Sequence, residues 1–406
     1  MIRTRTVVAG LSAGLALSTV PLASTASGAD ARHLQRAHPP SQVLVDWETT
    51  SIRTIYTEHA TAVPVGALYL GFTSLSMGDA VRHTRGGPAA AAAAAAVAAH
   101  DVLVEYFPTS GPTLDADLAT SLGSLGCDCV ARALRVGHAA AARMIAARVD
   151  DGRDKTSIVY SRPQAAGVWQ PPATGMLAPW LGFVRPLVLS HVVRVPGPDS
   201  LTSKAYAADY DEVRRLGSAT STERTAEQTD TALFFNSNSA IMLTEGLVRR
   251  LHDDPISVRR TAALFAAAHG AEADSVIAAW RQKFVVGFWR PTQAIAGAAD
   301  DGNPATQPEA GWTALLPVPP YADYVSGHAS LTGPVAEVIR RFLGDRTTLV
   351  LHSFATGADR TYTSISAIER DAFNARIWSG LHFRRAMVDG YRVAHHTADR
   401  VLHRLP

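Results

Sequence analysis

The sequence predicts an all-α protein of two packed helical bundles, the C-terminal one carrying an oxyanion site. Three observations lead to the fold class. Runs with strand-like period-two alternation are few, and apolar residues return instead at helical spacing. The stretch Ala89–Ala99 is almost pure alanine, the residue of highest helix propensity. Between residues 160 and 200, prolines at 163, 171, 172, 179, 186, 196 and 198 break any regular element, which makes this stretch a connector between two helical halves.

Composition bounds the function. A chain of 406 residues, 47% of them hydrophobic, suffices for two globular domains or one large one. Thirty-eight basic residues against 36 acidic ones give a net charge of +2, too small an excess for nucleic acid to be a main partner. Arg3 and Arg5, an apolar run from Val7 to about Ala23, and small residues at Ser27, Gly28 and Ala29 make residues 1–29 a signal peptide. Ser12, Ser18, Thr19 and Pro21 interrupt the run, which is short for a membrane span. The expected product is secreted, without stable membrane insertion. It divides into an N-terminal helical domain with its connector, 30–199, and a C-terminal bundle, 200–406. Cys127 and Cys129 stand too close in sequence for an easy mutual disulfide and are too few for a metal site.

Residues 30–42 read as a flexible entry, and Val43 to Gly71 as apolar sequence without strand alternation. The alanine-rich helix continues to Phe107 and stops at Pro108, which cannot extend it. Leu114–Leu125 and Val130–Val149 follow, the second ended by Asp150, Asp151 and Gly152. Trp169, Trp180 and Phe183 give the connector apolar mass to pack. In the second half, helices are expected at Ser200–Leu216, Ser221–Phe235, Ser237–Leu251, Ile256–Gly270 and Glu272–Val286. After a Pro/Gly-rich loop from Gly297 to Pro320 come Gly327–Leu343, Ile365–Gly380 and Met387–His403. Asp274 and Asp371 suit first turns, where carboxylates complement the helix dipole.

Three stretches carry chemistry. Trp280–Pro291 reads WRQKFVVGFWRP and sets Lys283 and Arg290 seven residues apart in an apolar run. On one continuous helix that is close to two turns, so both cations share a face, and burying them is costly unless an anion meets them. Two snorkelling side chains are the plain alternative. Tyr324–Ser330, YVSGHAS, is a loop running into a helix. Its free N–H groups, the Ser326 hydroxyl and the close approach that Gly327 permits form an anion site, with His328 in the first turn able to exchange a proton. Asn374–Arg384, NARIWSGLHFR, adds Arg376, which stays protonated, and His382. A spacing of six does not stack these two on a straight helix, but a helix end at Gly380 swings His382 back.

In this order, K-x6-R-P at Lys283–Pro291, S-G-H at 326–328 and R-x5-H at Arg376–His382 resemble the superfamily of vanadium-dependent haloperoxidases, bacterial acid phosphatases and type 2 phosphatidic acid phosphatases. The segment Arg224–Thr229 and the connector around Trp180 are similar to its secreted, haloperoxidase-like actinobacterial branch. The resemblance implies that Lys283, Arg290 and Arg376 hold the oxygens of a vanadate or phosphate, with Ser326 and the Gly327 N–H completing the cradle. It implies that His382 ligates vanadium or, in a phosphatase, takes the phosphoryl group, and that His328 is the acid–base partner on the opposite face. Both chemistries need a five-coordinate centre whose equatorial oxygens sit among cations.

The chain departs from the family pattern at Val325, where proline is usual, at Ala375, where serine is frequent, and at Ala386, where an aspartate often follows the last histidine. Asp389 is near but out of register, so the carboxylate that would orient His382 is unassigned. The additional helical half favours a haloperoxidase using vanadate, hydrogen peroxide and a halide, with Lys283 polarising the peroxide. The alternative is an acid phosphatase that hydrolyses phosphate esters through a phosphohistidine at His382, without a cofactor. A binding protein with a degenerate site is the third reading, against which stands the presence of every motif residue.

Overall fold

The computed structural model describes residues 39–126 and 130–405; the expected signal peptide, most of the 30–42 entry and the pair Cys127/Cys129 lie outside the described residues. The first bundle comprises α1 (Pro40–Ile52), α2 (Val63–His83), α3 (Gly87–Tyr106), α4 (Gly111–Leu125) and α5 (Val130–Ala147), with a π-helical turn, Arg53–Glu58, after α1. The alanine helix ends ahead of Pro108 as expected, and every residue from Ala90 to Ala99 is buried. The small side chains let helices close in: a Cβ on Gly137 of α5 would stand 2.6 Å from the Ala94 carbonyl oxygen. Among the described residues α3 is the one helix long and apolar enough to cross a membrane, and 67% of its most apolar window is buried inside the protein.

The second half contains α6 (Lys204–Gly217), α7 (Ala226–Phe234), α8 (Met242–Asp253), α9 (Val258–Val286), α10 (Pro291–Ala296), α11 (Gly327–Leu343), a hairpin of β1 (Leu349–Ser353) and β2 (Ala358–Tyr362), then α12 (Ile365–Trp378) and α13 (Arg384–Arg404). The all-α class holds, and the hairpin is a small addition to it in a stretch where no element was expected. Leu349 and Leu351 alternate inward, and Leu351 packs against Gly246 of α8. The helix expected from Ser237 starts only at Met242, which leaves Asn236–Ile241 as a loop.

The helices expected on either side of Gly270 and Glu272 are one helix, α9, of 29 residues. Gly270 does not break it; its missing side chain makes room for Val188, 3.1 Å from where a Cβ would be. Gly71 and Gly78 of α2 do the same against Ala273 and Ala266, so the two halves share one apolar core along α2 and α9. Asp274 is not a first-turn residue but lies in mid-helix. Its carboxylate accepts the N–H groups of Leu187, Val188 and Leu189 and so ties the connector to α9. Asp371 likewise sits inside α12, accepting the Tyr362 hydroxyl at 3.2 Å.

Lys283 and Arg290 do not share a helix face. α9 ends at Val286, Gly287 takes a left-handed conformation at φ 61°, and Arg290 is the residue preceding α10. The connector holds this turn: the Trp169 N–H donates to the Gly287 carbonyl at 2.8 Å, and the Trp289 N–H donates to Gly167 at 3.0 Å. Trp169 is buried and Phe183 packs edge-on against Phe284, as the aromatic content of the connector suggested. A second turn does the same for His382. Gly380 has φ +77° and lies against Gly217 so closely that a Cβ would meet the Gly217 carbonyl at 2.4 Å. The chain reverses there, and the N–H groups of Leu381 and His382 both reach back to the Arg376 carbonyl.

Below the core, Glu48, His269 and Glu272 are fully buried together: His269 Nδ1 is 2.8 Å from Glu272, and the Ser74 hydroxyl donates to Glu48 at 2.6 Å. Burial pushes Glu48 up to about 8 and His269 down to about 3. A carboxyl raised in the folded state stabilises most below its unfolded pKa and loses that contribution as pH climbs through its folded value. The melting temperature of the wild type should therefore fall between about pH 5 and pH 9 more steeply than that of Glu48→Gln, by about 2–4 °C in thermal scans. Gly380→Ala should cost upwards of about 1 kcal/mol in urea unfolding, because alanine fits neither the dihedral nor the space.

Candidate active site

α11 begins at Gly327 because Ser326 caps it: its side-chain oxygen accepts the Ala329 N–H at 3.3 Å. This leaves the Ser326 O–H to donate elsewhere. Gly327 lies under the Trp280 ring, where a Cβ would come within 3.1 Å, so the backbone can approach α9 only without a side chain. A cavity of about 180 Å³ opens here, lined by Gly327, His328, Arg376, His382, Trp280 and Tyr321. Val63 and Pro64 from α2 and the Asn236–Ser239 loop complete its wall. Lys283, Arg290 and Ser326 lie behind this lining, fully buried.

The three motifs thus converge, and their geometry is specific. Arg290 donates through Nε to the Tyr321 carbonyl at 2.8 Å and through Nη1 to Leu381 at 2.7 Å, and Nη1 also lies 3.3 Å from His382 Nε2. Lys283 Nζ donates to the carbonyls of Ala322 at 2.8 Å and Asp323 at 3.1 Å, leaving one of its three N–H bonds for a guest. Arg376, only 7% exposed, makes no side-chain hydrogen bond or ion pair among the described residues, and its Nε is buried without a partner. Arg290 Nη2 and His328 Nε2 are likewise buried and unpartnered. Orphaned polar atoms at this depth are rare in folded proteins, and the two guanidinium nitrogens call for an acceptor.

The residue missed in the sequence is Asp323. Its carboxylate oxygen is 2.7 Å from His382 Nδ1, with both groups buried. Nδ1–H donating to the carboxylate fixes the tautomer and leaves the Nε2 lone pair as an acceptor, which Arg290 Nη1 meets at 3.3 Å. Asp389, out of register for that role, instead accepts the Tyr324 hydroxyl at 2.8 Å and pairs with Arg385 and Arg392. Tyr321 was also missed: its ring lies 4.8 Å from Lys283 Nζ and 4.9 Å from the Arg290 guanidinium, which places a π-face against two cations.

The electrostatics are those of a cationic pit. Burial, then Arg290, pushes the Lys283 ammonium well below its usual range. Burial, then Arg290, Lys283 and Arg376, pushes His382 down, and burial with Arg376 does the same to His328. Burial raises Asp323 to about 7 against the pull of Arg290 and Lys283. Both imidazoles are therefore neutral in the open site, one free to bind an electrophilic centre and one to exchange a proton. A dianion or trianion with tetrahedral oxygens would offset the mutual repulsion that lowers Lys283, His382 and His328.

Known proteins resemble this chain in sequence and in fold. The family model of the second helical-bundle domain of vanadium chloroperoxidase matches residues 263–405. The vanadium chloroperoxidase of Curvularia inaequalis is 28% identical over 183 residues, which are 37% of this chain and 29% of that protein. The fold is similar to that of a bacterial vanadium-dependent iodoperoxidase, with a TM-score of 0.72 and 18% identity, over 91% of this chain and 96% of that one. An apo-type bacterial vanadium-dependent chloroperoxidase gives a TM-score of 0.67 at 18% identity, over 84% of this chain and 93% of its own. The family-model match, the curated relative and the similar folds together support a relation to the vanadium haloperoxidase superfamily, and the residues that carry the resemblance in the sequence, Lys283, Arg290, Ser326, Gly327, His328, Arg376 and His382, lie together at this cavity.

Proposed function

We propose that the protein is a secreted, vanadate-dependent haloperoxidase that oxidises halide with hydrogen peroxide. The observation that carries the proposal is the buried, unpartnered Arg376 guanidinium facing a cavity it shares with two neutral imidazoles. Arg376, Arg290 and Lys283 would hold the vanadate oxygens, with the Gly327 N–H and the Ser326 hydroxyl adding hydrogen bonds. His382 would ligate through Nε2, its Nδ1–H held by Asp323. Vanadate, when bound, would supply the Lewis acid that activates peroxide towards a halide. His328, on the cavity wall, would exchange protons with the peroxide, and Lys283 would stabilise charge that develops on it. About 180 Å³ suits an oxyanion with small reactants better than a drug-sized organic molecule, which fills roughly 300 Å³ or more. Similarity to haloperoxidase folds across nearly the whole chain supports the same reading.

One observation favours a second reading. A carboxylate on Nδ1 is also what a nucleophilic histidine needs. In a phosphatase, His382 Nε2 would form the N–P bond as the ester P–O bond breaks, and His328, protonated once the bound phosphate offsets the charge of Arg376, would give that proton to the leaving alkoxide and return to the neutral form. His328 would then take a proton from the water that hydrolyses the phosphohistidine.

Paired assays on one vanadate-titrated preparation separate the readings. Halide-dependent bleaching of monochlorodimedone is expected, together with loss of activity by about 100-fold or more in His382→Ala. Hydrolysis of p-nitrophenyl phosphate without any halide oxidation at acid to neutral pH would move the assignment to the phosphatase. Asp323→Asn should weaken vanadate binding about 10- to 100-fold. It should also remove a change in affinity near pH 7, where Asp323 loses its proton in the folded protein.

A further inference from the structure

At the other end of α9 and α11 lies a second, larger cavity. It occupies about 830 Å³ between α2, the start of α9, the end of α11 and the end of α13, and shares no lining residue with the active-site cavity. Ala267 at its inner edge is sixteen residues from Lys283 along α9, which is roughly 24 Å of helix. Its floor is apolar, made by Leu75, Val81, Ala263, Ala266, Phe342 and Leu405. Its rim is cationic: Arg82, Arg259, Arg260, Arg341 and His403, without a carboxylate in the lining. The chain as a whole carries only +2, so four arginines around one groove are a local concentration.

The rim charges are not all spent. Arg82 pairs with Asp79 and Arg341 with Glu337 and Asp399, while Arg260 donates to the Phe342 carbonyl. Arg259 makes no hydrogen bond or ion pair among the described residues and stands in the first turn of α9 beside Ser257. An apolar trough with one uncommitted guanidinium at its lip fits a molecule with a greasy tail and a single anionic head. A second copy of this chain fits poorly, because a two-fold interface would set this arginine rim against itself. The volume lies within the range of small-molecule sites, roughly 300–1,000 Å³.

We propose that this groove binds a free long-chain carboxylate, with its acyl chain along the Ala263–Ala266 floor and its head on Arg259. The test is calorimetric titration of the full chain with dodecanoate, dodecanol and acetate, repeated on Arg259→Glu and Ala263→Trp. One equivalent of dodecanoate should bind saturably, with dodecanol about tenfold weaker and acetate silent. Arg259→Glu, a change at an exposed position, should abolish the preference for the acid, and Ala263→Trp should block both ligands. Far-UV circular dichroism and a cooperative thermal transition report that each variant is folded. The proposal is overturned if dodecanoate does not bind, if the alcohol binds as well as the acid, or if both folded variants bind like the wild type. It is equally overturned if only anionic vesicles bind, or if the variants change dimerisation rather than ligand binding.

Discussion

Three basic side chains, Lys283, Arg290 and Arg376, are buried around one small cavity with the carboxylate of Asp323 among them. Like charges in a low-dielectric interior repel strongly, and desolvation adds to the cost. The direction of every shift at the site records that cost: the lysine, both histidines and the arginines are pushed towards their neutral forms, and the one acid is pushed towards its protonated form. A fold that holds such a cluster must gain elsewhere or be relieved by a guest. The orphaned nitrogens of Arg290, Arg376 and His328 mark where relief would come from.

The scaffold makes the cluster rigid from outside. Lys283 comes from the last turn of α9, the longest helix among the described residues, whose other end is fixed against α2 by close glycine and alanine contacts. Arg290 is set by a turn clamped on one side by the connector and on the other by the Asp323 N–H, which donates to the Phe288 carbonyl at 2.9 Å. His382 is set by the Gly380 reversal against Gly217. Irregular backbone therefore does the positioning, and helices do the bracing. This is why the proline-rich connector is ordered and buried in part: it orients the turn that carries Arg290.

The sequence was legible where chemistry and spacing coincide. Lys283, Arg290, Ser326, Gly327, His328, Arg376 and His382 could be named, and so could the reversal at Gly380, because a glycine in that register has few other uses. Asp323 could not, since its relation to His382 spans 59 residues and rests on two coils meeting rather than on any period. The shared helix face for Lys283 and Arg290 was wrong for a local reason: Gly287 ends α9, and an apolar run reads alike whether it is helix or packed turn. Gly270 misled in the opposite sense, as a glycine needed for contact rather than for a bend. The short hairpin escaped because two five-residue strands carry too little alternation to stand out among helices.

The central claim is that this cationic cluster is built around a tetrahedral oxyanion. Its most direct test is thermal unfolding against rising orthovanadate or inorganic phosphate, in the wild type and in Arg376→Ala. A ligand that binds only the folded state raises the melting temperature with the logarithm of its concentration. The account predicts such a rise in the wild type, saturable competition between the two anions, and its loss in Arg376→Ala. A melting temperature indifferent to both anions, or a rise that survives without Arg376, would contradict it.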